Sequence, residues 1–322
     1  MQEIRRRRMA VSTLETSTNN EPYRQRVVAL VLNGQAGALL GQDDAGGQLR
    51  EKLAASGAEV RVVAPDAGTL PERMALAVQA GADCVVVAGG DGSVACAAAL
   101  LAGSEVSLGV IPCGTMNLLA KDLRIDPADH DGAIDVVVRG ETRTIDVGEV
   151  GGHVFLCASM LGTPARLSRH REAGRQRGNG LFAWAGFGWA AVRALARNRS
   201  MHVVLRADGR VMRRRTPSIT VTVNRLDDET ARLFGRADLS GGELGVYLVR
   251  RSSAWRQLWL LVRTVVGGRL RDPEIEFFAT RALEVVSRDA AMHVLVDGEL
   301  RLIKPPLCYR VRPGALRVIT PG

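Results

Sequence analysis

The sequence predicts an α/β N-terminal half with a parallel, doubly wound sheet, followed by a β-rich C-terminal half. Three observations carry this. Apolar strand-like runs alternate with helical windows through the first 120 or so residues; one such strand breaks into Gly89-Gly90-Asp91-Gly92 and resumes as an alanine-rich helix; and from about Thr142 the pattern shifts to shorter β-rich pieces. A chain of 322 residues has room for two cores. The expected organisation is a tail over 1–24, an α/β domain over 25–141, and a β-rich domain over 142–306, with residues 307–322 packing back on the first domain.

Taken in order, residues 1–24 are polar and carry Arg5-Arg6-Arg7-Arg8 without an apolar stretch of signal-peptide length. They read as a disordered tail or as a start assigned too early. Strands are expected over 27–32, 59–63, 84–88 and 107–111, with helices near 48–55 and over 71–80 and 93–101. Pro71 suits an early helical position, and Gly57 a stop after the preceding helix.

The run Val85 to Val94 reads as a buried strand feeding a phosphate-binding turn. Its glycines let a bulky anion approach the main-chain amides, and the following helix adds a positive dipole end. The competing reading is that the glycines serve steric needs alone. A second turn, Pro112-Cys113-Gly114-Thr115-Met116-Asn117, again follows an apolar strand and precedes a helical stretch over 118–123. In parallel α/β sheets the carboxyl ends of neighbouring strands face one crevice, so both turns are expected over one ligand. Thr115 would offer a hydroxyl and Asn117 an amide; alternatively Pro112 and Gly114 shape a loop and Asn117 caps the next helix.

The pairing of Gly-Gly-Asp-Gly-Ser with Pro-x-Gly-Thr-x-Asn some twenty residues later resembles diacylglycerol-kinase-type lipid kinases. Asn33 and Gly37, Val296-Asp297-Gly298-Glu299, and the closing Pro305-Pro306-Leu307 to Pro313-Gly314-Ala315-Leu316 are also similar, so the resemblance runs from about residue 27 to the end. It implies a sandwich-like second domain that takes the lipid, ATP as phosphoryl donor and Mg²⁺ accompanying it. It further implies Gly89, Gly90, Gly92, Ser93 and Val94 in the phosphate turn, with Asn33, Gly37, Thr115 and Asn117 as further nucleotide contacts. Asp91 would hold a Mg²⁺-bound water or the acceptor hydroxyl, Glu299 would accept the hydroxyl proton, and Asp297 would belong to the same network. Without the resemblance, Asp297-Gly298 is a hairpin signal and Glu299 an ordinary strand residue. Departures stand beside these matches. Ser240-Gly241-Gly242-Glu243-Leu244-Gly245 replaces an acidic loop that holds a structural Mg²⁺ in many bacterial relatives, so that metal is not expected here. Ala95-Cys96 replaces an Asn-Glu pair, and Gly34 a proline.

In the second half, strands are expected over 201–205, 219–223, 244–249, 282–286 and 293–296. Helical stretches over 181–195 and 254–266 hold all four tryptophans, Trp184, Trp189, Trp255 and Trp259, which fit either a core or a water–lipid interface. Arginines cluster at Arg166, Arg169, Arg171, Arg175 and Arg177, at Arg213-Arg214-Arg215 and at Arg250-Arg251. With 43 Lys+Arg against 34 Asp+Glu the net charge is +9, which fits an anionic membrane surface or a solvated basic exterior. The clusters lack interleaved aromatics, which argues against nucleic acid.

No segment offers the roughly 20 apolar residues of a spanning helix. The five cysteines lack paired spacing and the five histidines lack ligand spacing, so disulfides and a zinc site are not expected. Together these place the chain in the cytoplasm, peripherally associated with a membrane, and leave the oligomeric state open, a homodimer included. The leading reading is an ATP-dependent kinase of diacylglycerol or a similar lipid alcohol. Its rivals are a soluble-substrate kinase resembling NAD kinases and a nucleotide-binding regulator without turnover.

Overall fold

The computed structural model describes residues 26–33, 45–64, 66–168, 200–227, 235–236, 238–250 and 273–322. The tail over 1–24, Gly37, the four tryptophans, Arg169, Arg171, Arg175, Arg177 and Arg251 lie outside the described residues.

The first half runs β1 (Val27–Leu32), α1 (Ala45–Ala55), β2 (Glu59–Val62), α2 (Leu70–Gln79), β3 (Cys84–Gly89), α3 (Asp91–Leu101), β4 (Ser107–Pro112), α4 (Leu118–Asp122) and α5 (His130–Arg139). Strands β3 and β4 are buried along their whole length and β1 nearly so, which is why they read as continuous apolar runs. They pair in parallel in the order β2-β1-β3-β4. One face packs Met74, Ala97 and Leu101 of α2 and α3 over Val31, Val85 and Val87. The other packs Leu53, Ile134 and Val137 of α1 and α5 over Leu30, Val86 and Ile111. Helix α2 opens on Thr69, whose amide donates to Glu72 Oε2 at 2.7 Å, with Pro71 in its first turn.

The second half contains β5 (Glu141–Val150), β6 (His153–Phe155), β7 (Ala158–Gly162), β8 (Met201–Ala207), β9 (Arg210–Thr216), β10 (Ser218–Val223), β11 (Leu244–Val249) and β12 (Ile275–Thr280). It closes with β13 (Ala282–Val286), β14 (Met292–Val296), β15 (Glu299–Ile303) and the 14-residue β16 (Leu307–Thr320). Six of these strands form an antiparallel sheet in the order β12-β11-β10-β7-β14-β15. The ten-stranded sheet continues from β4 through β16, β13, β8 and β9, with β5 and β6 attached to β16. Between these two layers lies a second core that includes Leu161, Leu205, Ile219, Leu244, Val285 and Tyr309. Two tight hairpins, at Asp208-Gly209 and Asp297-Gly298, have positive φ at both central residues, as two-residue type I′ turns require. The α/β half with a mostly parallel sheet and the antiparallel β-rich half agree with the predicted fold class.

Candidate nucleotide and acceptor site

Helix α3 begins at Asp91, two residues before the sequence placed it, so the glycine turn is itself the helix start. Gly90 is the N-cap, and its carbonyl accepts from Ser93 N at 2.9 Å and Val94 N at 3.1 Å. Helix geometry therefore leaves the amides of Asp91 and Gly92 without acceptors in their own helix, at its positive end. Gly92 is exposed, and a Cβ there would meet nothing within 4 Å. Behind the turn, Asn33 Nδ2 donates to the buried Ser93 hydroxyl at 2.8 Å, and Asn33 N donates to Ala88 O at 3.0 Å. Asn33 at the end of β1 is thus tied to the first turn of α3.

The two predicted turns meet. A Cβ on Gly114 would fall 2.5 Å from Gly90 Cα, so Gly114 requires glycine for the close approach, while a Cβ on Gly90 would stand at a tight 3.1 Å from Gly114 Cα. Asn117 adopts the left-handed conformation, with φ of 49°. Its Oδ1 accepts from Gly114 N at 2.9 Å, and its Nδ2 donates to Gly114 O at 2.8 Å. Asp91 reaches across: Oδ2 accepts from Asn117 N at 2.9 Å, and Oδ1 from Leu118 N at 2.6 Å. A carboxylate from the first turn therefore caps the short helix that follows the second. Thr115 and Met116 are exposed above it, while Cys113 is buried, which pushes its thiol up to about 11.

The other predicted carboxylates lie on the β14–β15 hairpin. Asp297 turns its carboxylate inward, where Oδ2 accepts from Leu156 N at 2.5 Å and Oδ1 from Cys157 N at 2.9 Å and Ala158 N at 3.0 Å. Burial pushes this carboxyl above the usual carboxylate range, against the pull of the three amides and of Arg236. Glu299 is exposed and ion-paired with Arg301. It lies near enough to α3 that, after burial, its charge raises the Cys96 thiol. The Cys157 thiol is raised by burial first; among its charged neighbours are Arg236, which opposes that rise, and Asp297, Asp122 and Asp91, which add to it. Cys157 thus feels the charges of both Asp91, in the glycine turn, and Asp297, whose carboxylate accepts from the Cys157 amide.

Sequence reasoning missed three residues here. Arg236 and Asp122 form a buried ion pair at 2.8 Å, with side chains 1% and 3% exposed. Asp146 on β5 is buried and accepts from Gly242 N at 2.7 Å, Gly314 N at 2.8 Å and Asn224 Nδ2 at 3.0 Å. The loop that lacks Mg²⁺ ligands in sequence is therefore held by a carboxylate acting directly on its backbone. Among the described residues, no group of three or more His, Cys, Asp or Glu side chains is placed to hold a metal.

Residues 27–150 match the diacylglycerol kinase catalytic domain, and residues 160–320 match the YegS C-terminal NAD kinase beta sandwich-like domain. The chain is 30% identical over 280 residues to a diacylglycerol kinase of Mycobacterium tuberculosis, covering 81% of this chain and 84% of that one. It belongs to the diacylglycerol kinase-like family of lipid kinases. This kinase is also 26% identical over 220 residues to a diacylglycerol kinase of Bacillus subtilis, covering 67% of this chain and 71% of the relative. Its fold is that of a crystal structure of a diacylglycerol kinase from Bacillus anthracis, with a TM-score of 0.65 at 17% identity over 92% of this chain and 97% of the other. The predicted family resemblance is borne out by these matches.

Proposed function

We propose that this kinase transfers the γ-phosphoryl group of ATP to the hydroxyl of diacylglycerol or a similar lipid alcohol. The observation that carries the reading is the meeting of the two glycine turns at the start of α3, where the Asp91 and Gly92 amides have no acceptor in their own helix. The amides of Asp91 and Gly92 face the β- and γ-phosphates at the start of α3, with Gly89 and Gly90 keeping the backbone bare of side chains. Ser93 and Val94 spend their amides on Gly90 O, so their part is to hold the turn, as is that of Asn33 and Asn117. Thr115, exposed on the second turn, offers its hydroxyl to the nucleotide.

Each carboxylate oxygen of Asp91 accepts one amide, which leaves lone pairs for a further ligand. That fits Asp91 to Mg²⁺ entering with ATP, held through a water; the ion would neutralise charge on the transferring phosphoryl group. Glu299 accepts the proton as the lipid oxygen bonds to the γ-phosphorus and the bond from that phosphorus to the bridging oxygen breaks, releasing ADP. Its exposed pairing with Arg301 is weak enough to exchange. Asp297, with its oxygens given to three amides, holds the turn that presents Glu299.

The surface that meets the substrate is proposed to be an anionic membrane, approached through exposed arginines such as Arg213 and Arg215 on β9. Among the described residues no helix is long and apolar enough to cross a membrane.

The test is transfer of label from γ-labelled ATP with Mg²⁺ to diacylglycerol, monoacylglycerol, ceramide and sphingosine in mixed micelles, with NAD as soluble control. Labelled lipid is expected, and Glu299→Gln should lower turnover by about 10²–10⁴-fold, the usual worth of a general base. Label on NAD alone, or a fully active Glu299→Gln protein, would overturn the reading.

A further inference from the structure

The buried pair of Arg236 and Asp122 occupies a particular place. Helix α4 has five residues, too few to hold itself, and carboxylate contacts fix it at both ends. At its start Asp91 takes the amides of Asn117 and Leu118. At its end Asp122 takes Arg236 Nε at 2.9 Å, Nη2 at 2.8 Å and the Arg236 amide at 3.2 Å. The remaining arm of the guanidinium, Nη1, donates to Leu156 O at 2.6 Å. The same residue's amide donates to Asp297 Oδ2 at 2.5 Å, and Asp297 opens the turn that leads to Glu299. An unbroken chain of contacts thus runs from Asp91 through α4, Asp122, Arg236 and Leu156 to Asp297 and Glu299. With its two charges desolvated, the link resists loosening in a way an exposed pair would not.

We propose that Arg236 is a positioning residue for phosphoryl transfer: by clamping Asp122 and the Leu156 carbonyl together, it fixes the Glu299 turn relative to the glycine turn. The inference rests on the reading of Glu299 as proton acceptor. A planar fork is what the task requires, because one group must satisfy a carboxylate and a carbonyl in fixed directions at once. A lysine has a single nitrogen for both.

The test compares the full-length wild type, Arg236→Lys and the double variant R236M/D122L in the mixed-micelle assay, with thermal melting alongside. Arg236→Met alone would take from the buried Asp122 carboxylate the guanidinium it faces; replacing both partners with apolar side chains avoids this. The expected result is a cooperatively melting double variant whose kcat falls at least tenfold while its KM for ATP stays within about twofold, with Arg236→Lys intermediate. A folded double variant with wild-type kcat, or one that loses ATP affinity at unchanged kcat, would overturn the proposal. If the double variant fails to melt cooperatively, Arg236→Lys alone is read by the same kcat and KM criteria. Amide hydrogen exchange supplies an independent reading. Exchange at 156–158 and 297–299 should accelerate at least tenfold in Arg236→Lys, with α2 unaffected, and unchanged exchange would overturn the clamp. A wild type that labels no lipid sinks the functional reading, while the exchange result still decides the clamp.

Discussion

At the scale of single residues, the two glycine turns depend on backbone touching backbone. In Gly114→Ala the new Cβ would lie 2.5 Å from Gly90 Cα, main chain that has no rotamer to escape into, and 2.9 Å from Asn117 Oδ1. The turns should part, the Asp91 bonds to α4 should stretch, and both melting temperature and ATP binding should fall, the latter by tenfold or more. Gly92→Ala separates the two effects, since its Cβ enters open space on a helical residue. The fold should gain up to about 1 kcal/mol from the lost unfolded-state freedom, yet ATP should bind more weakly because the methyl stands where phosphate approaches. Calorimetric titration of both variants checks this, and equal ATP affinity in Gly92→Ala would remove that amide from the phosphate site. The glycines were legible because few residue types tolerate such approach. The partners of Asp91 were not, since main-chain amides some 26 residues away leave no mark in sequence. Arg236 was equally hidden, because a buried arginine and a solvated one are the same letter.

Among elements, legibility followed burial. Strands β1, β3 and β4 have apolar side chains on both faces, so their runs stood out. Strand β9, with sequence RVMRRRT, forms an edge and carries Arg213 and Arg215 outward, so it reads as a charge cluster. Helix α5 was missed because Gly132 and the β-branched run Val136 to Val138 weaken its helical signal, although Asp129 caps it through Gly132 N at 2.8 Å. The middle arginine of the β9 cluster, Arg214, points the other way and pairs with Glu276 of β12 at 2.7 Å, joining the ends of the two layers. Its hydrogen bonds hold the Glu276 carboxyl below the usual glutamate range. A depressed carboxyl stabilises the fold above its unfolded value, about 4.3, and loses that contribution as pH falls through the lowered folded value. Glu276→Gln should therefore cost at most about 1 kcal/mol near pH 7, since the pair is partly screened by solvent. Wild-type and variant stabilities should converge in acid. Denaturant titrations between pH 3 and 7 check this, and a constant difference across that range would assign the loss to packing instead.

For the whole molecule, the sequence suggests two domains, and one strand bears on how independent they are. Strand β16 pairs with β13 through Leu307 to Arg310 and runs along β5 on both sides of a register shift between Arg312 and Leu316. It then meets β4 in parallel at Val318 and Leu108. Its first part supplies Leu307 and Tyr309 to the core between the β layers, and its last part supplies Leu316 and Val318 to the core beneath α2 and α3. Pro313-Gly314 falls at the register shift, and the residues on either side form one strand, with Gly314 N bonded to Asp146. Because neither core is complete without the same 14 residues, the two halves should unfold together in a single calorimetric transition. Removing residues 314–322 should abolish that transition and take ATP binding with it, even though the deletion touches neither glycine turn. A truncated chain that melts cooperatively and still binds ATP would show that the first half stands alone. The strand order argues otherwise, since the deletion strips β4 and half of β5 of their neighbour and opens the apolar floor under α3 to water.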